Sequence, residues 1–373
     1  MESIPFIDLK TQYVQLKEEI NGRIQRVLDH GGFIMGPEIQ ELETQLSQWV
    51  GSKHTLSVSS GTDAALLAMM ALPIQPGDEV ILPAFSFIAT AETVLLARGT
   101  PVYVDIDPIT YNISPKAIKA AITPKTKAIV PVGLYGQPPD MDEINAIAKE
   151  HKLIVIEDAA QSFGAKYKNK RSGTLGDIGV TSFFPAKPLG CYGDGGAIFT
   201  DNPTWAKQMS NDRNHGQEKR YHHTSIGING RMDTLQAAIL IPKLGIFEHE
   251  IAERNRIANR YTEMLKPLFK NDERFVLPVI SSNRESSWAQ YTIRAPRRDE
   301  FAQKLNALGC PTSVHYPSCM CDQPAYKGIG RTLDVTESRK AALEVLSLPM
   351  SAYLKESHQE RIVDAIGKTM KGF

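Results

Sequence analysis

The sequence predicts an α/β protein: a large domain built on a mixed, mostly parallel sheet, followed by a small C-terminal α+β domain. Three observations carry this. Short β-branched runs alternate with stretches of helical spacing, the runs are apolar without the alternation of a half-exposed strand, and the pattern changes character after residue 245. A length of 373 residues suits two domains, since one domain usually holds about 100–200.

Residues 1–30 read as an N-terminal helical arm and 31–245 as the large domain. Strands are expected at EVILPA (79–84), PVYVDI (101–106), AIVPVG (128–133), LIVIED (153–158), VTSFF (180–184) and AIFT (197–200). Helices are expected at 63–72, 114–122 and 140–150, several starting at the Ser, Asp or Pro that favours a first turn. From Asp233 the spacing is helical through LQAAILIPKL, a charged helical stretch follows at 246–270, and the domain change is put there. Residues 246–373 form the small domain, with strands at 288–295 and 310–317 flanking a helix at 298–308 and a last helix at 356–371.

Composition removes several classes of function. The 42 Lys and Arg cancel the 42 Asp and Glu, so no net field draws the chain to nucleic acid or an anionic membrane. No apolar stretch approaches the roughly 20 residues of a membrane span, and MESIPFIDLKTQYVQLKEE lacks the apolar core of a secretion signal. A cytoplasmic protein is expected. Cys191, Cys310, Cys319 and Cys321 follow no disulfide framework and read as reduced thiols. His222 and His223 have no carboxylate or cysteine at ligand spacing, so no metal is expected.

Four features in order carry chemistry. Ser59-Ser60-Gly61-Thr62-Asp63-Ala64-Ala65 opens an apolar helix, where free amides, hydroxyls and the helix dipole form a phosphate cradle; a plain N-cap is the alternative. In Pro83-Ala84-Phe85-Ser86-Phe87-Ile88-Ala89-Thr90 one aromatic can cover a flat ring, or both are core. Asp158 ends an apolar strand, where a carboxylate faces the ligand crevice of a parallel sheet or else caps a helix, while Glu157 points the other way and reads as structural. Lys187 follows the strand end Ser182-Phe183-Phe184 among prolines and glycines, surroundings that favour a neutral, nucleophilic amine; a loop lysine reaching water is the alternative. The glycines at 190–196 lack dinucleotide spacing, which excludes a Rossmann NAD site. Together the four fit pyridoxal 5′-phosphate (PLP), whose ring needs a carboxylate at its nitrogen and an amine at its aldehyde.

The same residues resemble the DegT/DnrJ/EryC1/StrS family of PLP-dependent nucleotide-sugar aminotransferases over nearly the whole chain. The matching blocks are FIDLK (6–10), GPEIQELE (36–43), SSGTDA (59–64), GDEVILPAFSFIATAE (77–92), VDIDPITYN (104–112), VGLYGQ (132–137), VIEDAAQSFGA (155–165), TSFFPAKPLGCYGDGGAIFT (181–200), IGINGRMDTLQAAIL (226–240) and PTSVHYP (311–317). The resemblance implies the aspartate-aminotransferase-like fold, fold type I, with Lys187 as the Schiff-base lysine, Asp158 at the ring nitrogen, Phe87 stacked on the ring and Gln161 near its hydroxyl. It implies that Thr62, Asp63 and Ser182 hold the phosphate together with Asn229 of a second subunit, hence a homodimer. Arg231, His315 and Tyr316 fall in its substrate-side blocks, although a structural ion pair and a core histidine are equally open.

A lysine at 187, where dehydrating relatives carry histidine, implies transamination. Pro188 and RNHGQEKRYHH (213–223) are most similar to the subgroup that moves the amino group of L-glutamate to C3 of UDP-2-acetamido-2-deoxy-3-oxo-glucuronate, releasing 2-oxoglutarate, for bacterial cell-surface polysaccharides such as O-antigen. Amination of a 6-deoxy-ketosugar nucleotide and a non-catalytic binding module of the same fold are the alternatives.

Overall fold

The apolar runs line up as one sheet in this computed structural model, which describes residues 2–270 and 272–372. Its strands are β1 (His54–Val58), β2 (Glu79–Pro83), β3 (Thr100–Val104), β4 (Thr126–Ile129), β5 (Ile154–Asp158), β6 (Ile178–Ser182) and β7 (Gly196–Thr200). Their spatial order is β1-β7-β6-β5-β4-β2-β3, and the two-residue strand Arg331–Thr332 pairs on the far edge of β3. Neighbours from β6 to that edge run parallel, whereas β7 is antiparallel to both β6 and β1. The mixed, mostly parallel sheet expected from the sequence therefore has one reversed strand.

Why the runs lack polar alternation is plain from β2, all five of whose residues are buried. Successive side chains point to opposite faces, so Val80 and Leu82 join one core and Ile81 another. Helices cover both faces: α1 (Leu9–His30), α2 (Pro37–Val50), α3 (Gly61–Met70), α4 (Ala89–Leu96), α5 (Pro115–Ala121), α6 (Met141–His151) and α7 (Pro203–Asp212). α3 and α4 bury Leu67, Ala68 and Val94 on the Val80 side, and α5 and α6 bury Ile118, Ile144 and Ile147 on the Ile81 side. The arm helix α1 starts where the Asp8 carboxylate accepts the Lys10 and Thr11 amides at 3.1 and 2.9 Å, a cap worth about 1 kcal/mol.

α8 (Thr234–Phe269) is a single helix of 36 residues, and it runs through the boundary expected at 245–246. What changes along it is the partner. Leu240, Leu244 and Phe247 pack against α2 and the β6–β7 region, while Ile257, Tyr261 and Leu265 pack into the C-terminal core. That core holds α9 (Arg298–Ala307); α10 (Thr336–Glu344) instead buries Ala341 and Ala342 in a cluster with Phe85 and Tyr135, and α11 (Glu356–Met370) returns to the C-terminal core with an antiparallel pair, β8 (Tyr291–Arg294) and β9 (Val345–Leu348).

The strand expected at 310–317 is not formed. Only Ser313 makes a bridge, to Ser347, because Pro311 and Pro317 remove the ladder donors at both ends. His315 and Tyr316 consequently sit on irregular chain. Among the described residues no helix is long and apolar enough to cross a membrane, and all four cysteines are buried free thiols.

Candidate active site

The carboxyl ends of β2, β5 and β6 point the same way, and the loops beyond them gather the residues singled out above. Asp158, the last residue of β5, is held twice: one oxygen accepts the Ala160 amide at 3.0 Å and the other accepts the Thr90 hydroxyl at 3.3 Å. Burial pushes its carboxyl up from the ordinary range, and the Ala160 amide, the charge of Lys187 and Thr90 pull it back. Glu157 faces the other side, where Ser172 Oγ and the Gly173 and Leu175 amides donate to it at 2.6, 2.9 and 2.8 Å.

Lys187 lies in a tight turn after β6, its amide donating to the Phe184 carbonyl at 2.8 Å. Burial lowers its pKa and the Asp158 carboxylate opposes that. The result is an amine readier to lose its proton than a surface lysine, facing a carboxylate.

Around this pair, Gln161 is buried and bridges two elements: its Oε1 accepts the Tyr135 amide at 2.9 Å and its Nε2 donates to the Tyr316 hydroxyl at 3.2 Å. Tyr135 Oη donates to the His315 carbonyl, and His315 Nδ1 is 2.9 Å from Ser347 Oγ. Burial, aided by the charge of Lys187, pulls His315 down to about 4, so its imidazole is neutral at pH 7. Phe87 is 51% exposed with its ring 5.9 Å from that of Tyr316, whereas Phe85 is completely buried in the core. Of the two aromatics only Phe87 is free to cover a ligand.

The first turn of α3 abuts the end of β6. Ser60 Oγ accepts the Asp63 amide at 3.0 Å, and Ser59 Oγ donates to the Asp63 carboxylate. That ordering leaves the Gly61 and Thr62 amides as first-turn donors that the helix does not use itself. A Cβ at Gly61 would lie 2.5 Å from that of Ser182, so only glycine lets the cradle sit against the Ser182 hydroxyl. Asn229 and Arg231 flank Gly230, whose carbonyl accepts the Ser59 amide at 2.9 Å, and with Ser59, Gly193, Asp194 and Gln236 they line an adjoining cleft of about 400 Å³. Arg231 donates to Asn214 Oδ1, and its buried Nε has no partner among the described residues.

A model of the DegT/DnrJ/EryC1/StrS aminotransferase family matches residues 14–367. The chain belongs to this family. It is 53% identical over 351 residues to the UDP-2-acetamido-2-deoxy-3-oxo-D-glucuronate aminotransferase of Pseudomonas aeruginosa, covering 94% of this chain and 96% of that relative. Among solved structures, DesV of S. venezuelae in complex with a ketimine intermediate superposes with a TM-score of 0.95 at 37% identity, over 99% of this chain and 98% of DesV. NtdA of Bacillus subtilis with bound cofactor PMP gives 0.90 at 35%, over 100% of this chain and 86% of NtdA. The fold of this DegT-family chain is the aspartate-aminotransferase-like one that its motifs imply.

Two members of the site went unassigned in the sequence. Thr90 lies in a segment already singled out, but its partner Asp158 is 68 residues away; Tyr135 lies in the VGLYGQ block, 180 residues from His315. No local signal pairs residues so distant. Only the sheet brings them together.

Proposed function

We propose that this aminotransferase moves the amino group of L-glutamate to C3 of UDP-2-acetamido-2-deoxy-3-oxo-glucuronate, using PLP carried covalently on Lys187, in the making of bacterial cell-surface polysaccharide. The single observation that carries the chemistry is the doubly held Asp158 carboxylate at the carboxyl end of the sheet with the Lys187 amine near enough to feel its charge. The likeness to the Pseudomonas aeruginosa enzyme over nearly the full length of both chains supports the sugar.

The residues present fit PLP. The glycine-floored cradle, the Ser182 hydroxyl, the exposed Phe87 face, the Asp158 carboxylate and an amine of lowered pKa match its phosphate, ring, ring nitrogen and aldehyde. When bound, PLP supplies a sink for the electron pair left on carbon as a proton departs.

Each residue then has a defined task. The Gly61 and Thr62 amides and the Ser182 hydroxyl would hold the phosphate end, Asp63 orders that turn through Ser59 and Ser60, and Asp158 keeps negative charge at the ring nitrogen. Phe87 covers one ring face, and Gln161, fixed by Tyr135 and Tyr316, addresses the ring hydroxyl. Lys187, once released, takes and returns the proton at the substrate carbon, acting as base and acid in turn. Arg231 suits a carboxylate or pyrophosphate through its planar fork, and His315 and Tyr316 line the sugar side.

Asn229 is exposed at the edge of that cleft, which supports its reaching the phosphate site of a second copy in a homodimer. Sedimentation should give a dimer, and a fully active monomer would overturn that part.

A yellow protein whose colour bleaches with borohydride, with the adduct mapped by mass spectrometry to Lys187, is the expected result for the cofactor; an adduct elsewhere, or none, sinks it. For the sugar, the UDP-linked 3-oxo-glucuronate and a 6-deoxy-4-keto sugar nucleotide are offered side by side with glutamate. Turnover of only the second rejects the assignment.

A further inference from the structure

A second lysine stands behind the first. Lys243, on α8, is 1% exposed, a costly place for an ammonium unless its surroundings answer the charge. Its Nζ donates to the main-chain carbonyl of Gly190 and lies 4.5 Å from the ring centre of Tyr192. Burial pulls the Lys243 pKa down to about 8, still above neutral pH, and the Glu250 carboxylate, two turns along the same helix, opposes that fall and is itself fixed by Gln12 Nε2 at 2.7 Å and the Tyr353 hydroxyl at 2.5 Å.

Gly190 closes the turn that carries Lys187. The turn folds back so tightly that a Cβ at Gly190 would meet the Pro185 and Phe184 carbonyls at 2.5 and 2.7 Å, and the Cys191 amide locks its base by donating to the Phe183 carbonyl at 2.8 Å. One charged side chain therefore reaches from the longest helix to the exit of the one turn whose amine must swing between attachment and release. An apolar residue would fill the space with less cost of burial. It would not hold a carbonyl.

We propose that Lys243 is a positioning residue for Lys187: its buried ammonium clamps the Gly190 carbonyl and so fixes the 183–191 turn from which the Lys187 amine projects. This rests on the reading of Lys187 as the attachment site, and the experiment separates the two. Protein freed of cofactor is mixed with PLP, and the rate at which the visible band of lysine-bound cofactor returns is followed alongside thermal unfolding and steady-state kinetics.

Lys243→Met is expected to slow the return about tenfold and to lower kcat by a similar factor with KM for glutamate within about twofold, because a displaced amine impairs attachment and proton transfer more than binding. Lys243→Arg, which keeps a charged donor, should stay within about threefold of wild type, a rescue that lost packing alone would not give. If Lys243→Met does not fold, Lys243→Gln carries the test: it keeps an N–H without the charge and should slow the return about threefold. A folded Met or Gln variant that regains the band at the wild-type rate overturns the proposal, as does a folded Arg variant as slow as Met. Absence of the band from wild-type protein, or its reduction to an adduct away from Lys187, would instead sink the reading beneath it.

Discussion

Two adjacent carboxylates on β5 show how one strand serves structure and chemistry at once. Glu157 is fully buried and receives three donors, from Ser172, Gly173 and Leu175, all within one short segment. Asp158 is only partly enclosed and receives two, from Thr90 and Ala160, while its open side feels the charge of Lys187. Burial raises both carboxyls. The difference lies in what answers the charge: a hydroxyl and two main-chain amides on the Glu157 face, and on the Asp158 face, besides Thr90 and Ala160, an amine that can leave. A group whose partners are complete holds the fold, and one left a partner short is available to a ligand.

The sharpest way to break this comparison is Asp158→Asn. The amide keeps the shape and can still accept from Ala160 but carries no charge for a ring nitrogen, so kcat is expected to fall about a thousandfold, of the order seen when a charge-setting partner is lost, with unfolding by urea nearly unchanged. Activity within tenfold of wild type would mean that the charge is dispensable.

His315 tests the same face through pH. Burial first, and the charge of Lys187 second, hold its pKa at about 4 in the cofactor-free fold, below the ordinary value near 6.5. The unfolded chain therefore binds the extra proton first as pH falls. The stabilising contribution is complete above about pH 6.5 and is lost on descending toward 4, at about 1.4 kcal/mol per pH unit and on the order of 3 kcal/mol in all. Urea unfolding at pH 7.5 and 5 should show wild type losing more stability than His315→Gln; equal losses would show that His315 is not held neutral.

How much of this was legible beforehand follows from the range of each signal. Strands β2 to β7 and the residues at their ends were readable because apolar runs and the residues that follow them are local, whereas β1 was missed and the reversal of β7 leaves no local sign. The long α8 was read in two pieces because composition turns charged after Ile246, although the backbone continues and only the packing partner changes. The segment 310–317 looked like a strand because Val314, His315 and Tyr316 suit one, but two prolines and a single bridge decide otherwise. Phe87 could not be separated from Phe85 by spacing, since both follow the strand end two residues apart; exposure separates them. The pairing of Thr90 with Asp158 and of Tyr135 with His315 lay beyond reach for the same reason, as contacts made only by the folded sheet.

On the structural face, Glu157→Gln turns one acceptor into a donor pointed at the Ser172, Gly173 or Leu175 donors that now meet a carboxylate. A buried mismatch of this kind costs about 1–3 kcal/mol. Urea unfolding should register that loss, while kcat and KM remain within about twofold. A large fall in kcat with unchanged stability would reverse the roles assigned to the two faces.

The smallest effect belongs to Thr90. Its hydroxyl gives Asp158 one bond, at 3.3 Å, and the neighbouring Ser86 hydroxyl lies 3.5 Å from Thr90 Oγ1. Thr90→Val keeps the volume and removes the donor, a change worth about 1 kcal/mol and hence roughly a fivefold fall in kcat. Because the bond favours the ionised carboxylate, its loss should also let the Asp158 pKa rise, moving the acid limb of the kcat profile to higher pH. A lower kcat with an unmoved acid limb would assign Thr90 to packing alone, and leave Ala160 as the side of Asp158 that sets its charge.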